Sequence, residues 1–421
     1  MISAPGSHHG KTTVTAALAR LHREQGRRVA VFKTGPDFLD PTILTRASGQ
    51  PAYQLDLWMG GAEHCRQLVY QAAAHADVIL IEGVMGLFDG TPCSADLATL
   101  LDVPVLAVID ASGTAQTVGA IAHGLASYRA GLPFAGVLAN GVASARHGDM
   151  VAQGMPAQIK FWGGLRRAAE TVFPERHLGL IQADQVDRFD ARLDAVVAQL
   201  ADTDLAQLPP CVQFEAVASP SLTPSLRDVR IGIARDAAFS FLYQANLDLL
   251  TSLGAQLVFF SVLDDATLPM VDALYLPGGY PELHLDQLAR NHGMRSDLQA
   301  HARQNKPLYA ECGGLLYLLD HLTDHGGRSA PMAAVLPGQA QMKNGLQGLG
   351  YQTVPLPGGT LRGHTFHHSV VTTPMTAIGQ GERLFNTSAG EKIFQQGRTV
   401  ASYLHAYFPS NPTAAAALFL P

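Results

Sequence analysis

The chain has 421 residues, 35 acidic against 29 basic side chains, a formal charge of -6 and a hydrophobic fraction of 47%; this exceeds what one hydrophobic core usually fills, so two domains of about 200 residues each are expected. The basic residues are dispersed, which argues against a nucleic-acid groove, and no apolar run approaches the roughly 18–20 residues needed to span a bilayer. With a glycine loop rather than a basic-then-apolar signal near its start, the chain reads as cytoplasmic. Cys65, Cys93, Cys211 and Cys312 lie far apart, with no Cys-x-x-Cys and no zinc spacing, so neither a disulfide framework nor a thiolate metal site is indicated.

Met1–Ala4 is a short apolar strand, and Gly6-Ser7-His8-His9-Gly10-Lys11-Thr12-Thr13 follows it directly. Such a loop can cradle phosphates: backbone N–H groups of Gly6 to Thr13 surround the anion, Lys11 neutralises it, the Thr12 hydroxyl meets Mg²⁺, and the helix beginning there adds its dipole. The strict pattern places glycine where Pro5 stands, and the alternative is a plain glycine turn opening a helix. The periodicity of Thr13–Leu21 supports a helix after the loop.

Further apolar strands are expected at Arg28–Lys33, Val78–Glu82, Val105–Asp110 and Ala135–Asn140, each followed by a helical pattern. That alternation implies a parallel sheet covered on both faces. Glu82, at a strand's carboxyl end, is placed as a metal acid. Asp37 and Asp40 follow the second strand, and Asp89 lies in Gly83–Gly90; each of these three is equally a turn former. Pro174–Leu180 closes this half, and Ala201–Asp228 has linker composition.

Alternation restarts with Val229–Ala234, a helix from about Tyr243 to Leu253, and strands at Gln256–Ser261 and Ala273–Leu276. Leu276-Pro277-Gly278-Gly279 ends a strand in a glycine pair. Lys306–Gly314 reads as a strand, a tight turn carrying Cys312, and a helix start. A thiol on such an elbow is expected to be held exposed, with a helix dipole to stabilise its thiolate and the Gly313 N–H and that of Gly279 placed to stabilise an oxyanion. Cys65, Cys93 and Cys211 read instead as small buried hydrophobes. The base for Cys312 is expected to be His405, at the end of one apolar strand over 401–408, with His364, His367 and His368 as competitors.

The Gly-Gly pair, the Glu311-Cys312-Gly313-Gly314 elbow and the late His405 resemble a class I glutamine amidotransferase domain. Many such domains carry a glutamate two residues after the histidine; here Ala406 and Tyr407 follow it, leaving a Cys-His pair. The first half resembles the dethiobiotin-synthetase-like P-loop fold. Together, residues 4–15, Gly35–Pro41, Glu82–Gly90 and Pro174–Leu180 resemble the cobyrinic or hydrogenobyrinic acid a,c-diamide synthase family. The paired histidines, the short first strand and Thr365, where relatives often have an acid, depart from that pattern.

The resemblance implies an α/β chain with a P-loop amide synthetase domain over 1–200, a linker over 201–228 and a glutamine amidotransferase domain over 229–421. It implies ATP and Mg²⁺ as cofactors, and a corrin-ring acid, glutamine and ATP as small-molecule substrates. Nucleic acid and membrane are not expected as partners, and a homodimer is a permitted assembly. ATP would convert an acetate carboxylate of the ring into an acyl phosphate, with Lys11 stabilising the phosphoryl group, and ammonia released at Cys312 would displace phosphate. Asp40 and Asp89 are assigned to orienting the acceptor, and Thr12, Asp37 and Glu82 to the metal. Rival readings are the related cobyric acid synthase, a nickel-sirohydrochlorin amidase, and a non-catalytic P-loop partner protein in which Cys312 is structural.

Overall fold

The computed structural model describes residues 1–168, 175–176, 179–180, 188–218, 222–385 and 388–421, so Pro174, His177 and Leu178 of the 174–180 motif lie outside the described residues. The chain divides into two compact units, Met1–Ser219 and Pro220–Pro421.

In the first unit seven strands form one parallel sheet: β1 Ile2–Ser3, β2 Val29–Thr34, β3 Tyr53–Leu55, β4 Val78–Glu82, β5 Val105–Asp110, β6 Phe134–Val142 and β7 Phe161–Arg166. Their spatial order is β3-β2-β4-β1-β5-β6-β7, with parallel registers throughout. Alternate residues of one strand enter different cores. Val108 and Leu138 pack with α1 (Lys11–Glu24) and the helix Phe189–Ala201, whereas Ala107, Ile109, Val137 and Ala139 pack on the opposite face. Burial on both faces is why these strands read as unbroken apolar runs rather than alternating ones.

The short β1 sits between β4 and β5 in the middle of the sheet. Its phosphate loop therefore emerges at the carboxyl edge, beside the loops that follow β2 and β4, where open α/β sheets bind ligands. After the helix ending at Ala201, the described chain holds one short helical turn, Asp204–Ala206, before the next strand at Arg230–Ala234.

The second unit contains a ten-stranded sheet. Gln256–Phe260, Arg230–Ala234, Ala273–Leu276, Leu308–Glu311 and Thr399–Ser402 lie side by side in that order, all parallel. Ala389–Gln396, Gly379–Arg383, Gly348–Leu356, Gly359–His367 and His405–Tyr407 continue it as antiparallel neighbours. A second sheet of four strands comprises Ser329–Pro331, His321–Thr323, Gln339–Met342 and Ser369–Thr372.

One expectation is corrected here. The apolar run 401–408 is not one strand: Thr399–Ser402 pairs with Leu308–Glu311, while His405–Tyr407 pairs with Gly359–His367, His405 lying opposite His364. Ser402 Oγ accepts from Leu404 N at 3.3 Å, a local bond that ends the ladder and turns the chain between the two segments. Continuous hydrophobicity cannot reveal such a break.

Leu138 is fully buried on the α1 side of the first sheet, so Leu138→Ala should lower stability by about 2–5 kcal/mol through lost burial and a residual cavity. Denaturant unfolding of the purified variant measures this.

Candidate active sites

The phosphate loop of the first unit is built from close approaches. Gly10 has φ 91°, and an added Cβ there would collide with the Asn140 amide at the end of β6. That amide donates to His9 O at 3.0 Å, and His9 Nδ1 accepts from Asp110 N at 2.9 Å. His9 thus braces the loop against β5 and β6. Helix α1 has no acidic residue in its first turn and no side-chain cap on its N-terminus, which leaves its amide groups and dipole suited to an anion.

Lys11 is buried; its Nζ donates to Gly6 O at 2.8 Å and to Met85 O at 2.6 Å, tying the phosphate loop to the Gly83–Gly90 loop. Burial, followed by the nearby Lys33 charge, lowers its pKa to about 8. A Cβ on Gly86 would lie 2.5 Å from Pro5 O, so that second loop packs directly on the first. Asp89 Oδ2 accepts from Gly86 N at 2.8 Å, a bond that shapes its own loop.

The acids after β2 and β4 converge on a lysine that no sequence motif marks. Lys33 Nζ is 2.5 Å from Asp40 Oδ2, 2.8 Å from Glu82 Oε1 and 3.8 Å from Asp37 Oδ2. Burial opposes the Lys33 charge, but Asp40, Glu82 and Asp37 outweigh it and raise its pKa. Glu82 is 0% exposed, and burial lifts its pKa to about 7 against the pull of Lys33. Asp40, although buried, is held below the usual carboxylate range chiefly by Lys33.

Thr12 Oγ1 donates to Glu82 Oε1 at 2.6 Å, and Glu82 Oε2 is buried without a hydrogen-bond partner. A hydroxyl beside an orphaned carboxylate oxygen at a phosphate loop is a hard oxygen donor set that fits Mg²⁺. Asp37 Oδ1 accepts from Leu39 N at 2.8 Å and Asp40 N at 3.2 Å, so one of its oxygens is spent on the turn. Asp37 and Asp40 are assigned separate tasks on sequence grounds; the fold places both against the same ammonium.

In the second unit, Cys312 has φ 43° and ψ -105°, a strained elbow between Leu308–Glu311 and the helix Gly313–Leu318; its thiol is buried rather than held exposed as expected, because the elbow packs into the hydrophobic core. Burial, then the charge of Glu282, raises the thiol pKa, opposed by a hydrogen bond from the Gly313 N–H. A Cβ on Gly313 would lie 2.9 Å from Gly279 N, so the two expected oxyanion donors stand close together. Gly279 itself has φ 157° and no room for a side chain beside Ala238 O.

His405 lies 1% exposed, its ring against Gly278, stacked on His364 with centroids 5.2 Å apart. Burial holds its pKa well below the ordinary value, so it is neutral and can act as a base. Its Nδ1 is 4.0 Å from Oε2 of Glu311, the residue immediately before Cys312. The competing histidines are engaged elsewhere: His364 Nδ1 bonds Tyr243 OH at 2.9 Å, and His367 bonds Ser369 O at 2.9 Å and Glu391 Oε1 at 3.2 Å. His368, half-buried, packs edge-on against Phe366. Cys65 and Cys93 are buried as expected, but Cys211 is exposed, a correction that follows from its place in a stretch of linker composition.

Residues 1–180 match the CobQ/CobB/MinD/ParA nucleotide binding domain, and residues 230–413 match the CobB/CobQ-like glutamine amidotransferase domain. Hydrogenobyrinate a,c-diamide synthase of Stutzerimonas stutzeri is 58% identical over 421 residues, covering 100% of this chain and 98% of that protein. The protein of the same name from Pseudomonas aeruginosa is 55% identical, covering 100% and 97%. Cobyrinate a,c-diamide synthase of Herminiimonas arsenicoxydans is 46% identical over 424 residues, covering 100% and 96%. The chain belongs to the hydrogenobyrinate/cobyrinate a,c-diamide synthase family.

As a member of that family it is a glutamine-hydrolysing ligase, with ATP use in the first unit and amide hydrolysis in the second. Lys33 and Asn140 stand at the first site without having been marked by any motif, and Glu311, although part of the elbow motif, is given no role by the sequence. Lys33 and Glu311 both end strands beside recognisable motifs, a position that is itself the available signal; Asn140 requires the tertiary approach to Gly10. Among the described residues no helix is long and apolar enough to cross a membrane.

Because a Cβ on Gly278 would occupy the place of His405 Cε1, Gly278→Ala should displace the imidazole and cut glutamine hydrolysis by about tenfold or more. Synthesis from added ammonium salts should stay near normal, as steady-state rates with the two nitrogen sources will show.

Proposed function

We propose that the enzyme amidates the a- and c-acetate carboxylates of hydrogenobyrinic or cobyrinic acid, one after the other, using ATP and glutamine. The observation that carries this reading is a phosphate loop and a strained thiol elbow in one chain, joined with 58% and 55% identity to proteins named hydrogenobyrinate a,c-diamide synthase. Those names favour the cobalt-free ring as acceptor.

A carboxylate does not react with ammonia, so the γ-phosphoryl group of ATP is first passed to it, giving an acyl phosphate and ADP. Lys11 and the amide groups from Gly6 to Thr13 hold the phosphates and offset charge on the phosphoryl oxygens in flight. Thr12 and Glu82, with Asp37 in reach, would hold Mg²⁺, which supplies further neutralisation of the phosphates. Asp40 and Asp89 orient the acceptor carboxylate or the incoming ammonia. At the other site Cys312 attacks the glutamine amide. His405 takes the thiol proton and returns it to the departing nitrogen, the Gly279 and Gly313 N–H groups stabilise the oxyanion, and water then releases glutamate from the thioester. Ammonia displaces phosphate from the acyl phosphate. The cytoplasm, where ATP and glutamine are abundant, is the compartment this chemistry implies.

Turnover with hydrogenobyrinic and cobyrinic acids, read by product mass, tests the acceptor; a gain of two amides on neither acid would overturn the assignment. Cys312→Ser and His405→Ala should abolish glutamine-dependent synthesis yet spare synthesis from ammonium salts. Lys11→Ala and Glu82→Gln should lose synthesis with both nitrogen sources while glutamine hydrolysis survives.

For the acceptor-facing acids, Asp40→Asn and Asp89→Asn should leave Mg²⁺-ATP affinity near normal in calorimetry while kcat falls by roughly 100-fold, since a contact made in the transition state is lost. Accumulation of the monoamide is the expected product signature.

A further inference from the structure

Class I amidotransferases that use three residues fix the catalytic imidazole with a glutamate two positions after it, and here that position is Tyr407. The fold nonetheless places a carboxylate at the imidazole. We propose that Glu311 is the positioning acid of the glutamine site: from the residue before the nucleophile, it orients His405 through Nδ1 and balances the positive charge that His405 gains when it takes the thiol proton. The proposal rests on the reading of Cys312 and His405 as the pair that releases ammonia.

Three observations carry it. Glu311 Oε2 and His405 Nδ1 are 4.0 Å apart with both side chains 1% exposed, so little water screens them. The carboxylate is held on both oxygens, Oε1 accepting from Ala406 N at 2.9 Å and Oε2 from Tyr275 OH at 2.9 Å. The first of these bonds joins the acid to the residue directly after His405, so the nucleophile's strand and the base's strand are registered by the acid itself. No helix terminus or surface charge is needed for this arrangement.

The geometry also settles proton traffic. With Nδ1 turned to Glu311, the other ring nitrogen, Nε2, is the one left to receive the Cys312 proton and later give it to the departing ammonia. The groups around the pair are Tyr275 and Tyr309 on neighbouring strands, Cys312 on the elbow, and His364 and His367 beyond the imidazole. Burial lifts the Glu311 pKa to about 8. The hydrogen bonds from Ala406 N and Tyr275 OH oppose that burial and favour the carboxylate, and an imidazolium formed beside it favours it further.

Glu311→Gln and Glu311→Asp in the full-length enzyme test this. The amide oxygen can keep the bond from Ala406 N and its NH2 can donate to the Tyr275 hydroxyl while the charge is lost, so Glu311→Gln should lower kcat for glutamine hydrolysis by about tenfold or more with KM for glutamine changed by less than about threefold. Iodoacetamide alkylation of Cys312, followed against pH, should slow at neutral pH in the same variant. Glu311→Asp should recover part of the loss, and synthesis from ammonium salts should continue in both. Hydrolysis within about twofold of wild type in Glu311→Gln would overturn the proposal. So would equal loss of glutamine- and ammonia-dependent synthesis in both variants, which would assign Glu311 to packing alone. Wild-type hydrolysis and its loss in Cys312→Ser decide the underlying reading separately.

Discussion

Placing Glu82 at the end of a central strand, fully buried, would cost several kcal/mol if its charge were left unmet, and in this protein Lys33 meets it at 2.8 Å while also reaching Asp40 at 2.5 Å. The arrangement of the first site depends on that ammonium. It allows two loops that each bring an acid to approach one point without repelling each other, and it leaves Glu82 with one oxygen bonded to Thr12 and another free of hydrogen bonds. Replacing such a cluster with apolar residues is often neutral for stability in a protein without chemistry to perform; its retention here fits a site that must exchange charge with phosphates.

The second site obeys a different constraint. Backbone geometry shapes its elbow and its oxyanion donors. Cys312 is forced to φ 43° by the elbow, and Gly278, Gly279 and Gly313 are glycine because an imidazole, a carbonyl and another backbone stand where their side chains would be. Both sites nevertheless share one origin. A parallel strand buried on both faces has polar groups to offer at its ends, and the carboxyl ends of Val29–Thr34, Val78–Glu82 and Leu308–Glu311 supply Lys33, Glu82, Glu311 and the elbow itself.

Much of this was legible in the chain. Apolar runs of strand length announced Val78–Glu82, Val105–Asp110 and Ala273–Leu276 to the residue, because burial on two faces leaves little freedom of composition. The phosphate loop and the Cys312 elbow were legible because glycine at fixed spacing is demanded by close backbone approach and by little else. Lys33 and Glu311 were not, since a charged residue closing a strand looks like ordinary solvation until its partners are known, and those partners lie 49 and 95 positions away in sequence. The break between Ser402 and His405 was hidden for another reason: both segments are buried, so hydrophobicity runs on while the pairing partner changes. The roles of Asp37, Asp40 and Asp89 were open in the sequence because aspartate shapes turns as readily as it binds ligands, and the fold shows Asp37 and Asp89 bonded within their own loops.

That hidden break has a consequence for how the enzyme comes into being. Thr399–Ser402 lies in the middle of the ten-stranded sheet and His405–Tyr407 five places further along it, yet Ala406 N bonds Glu311 beside the first of them, so the sheet curls until its last strand returns to its centre. That closure brings the imidazole beside the acid that precedes the thiol. A chain that stops before His405 therefore carries Cys312 without the base proposed for it.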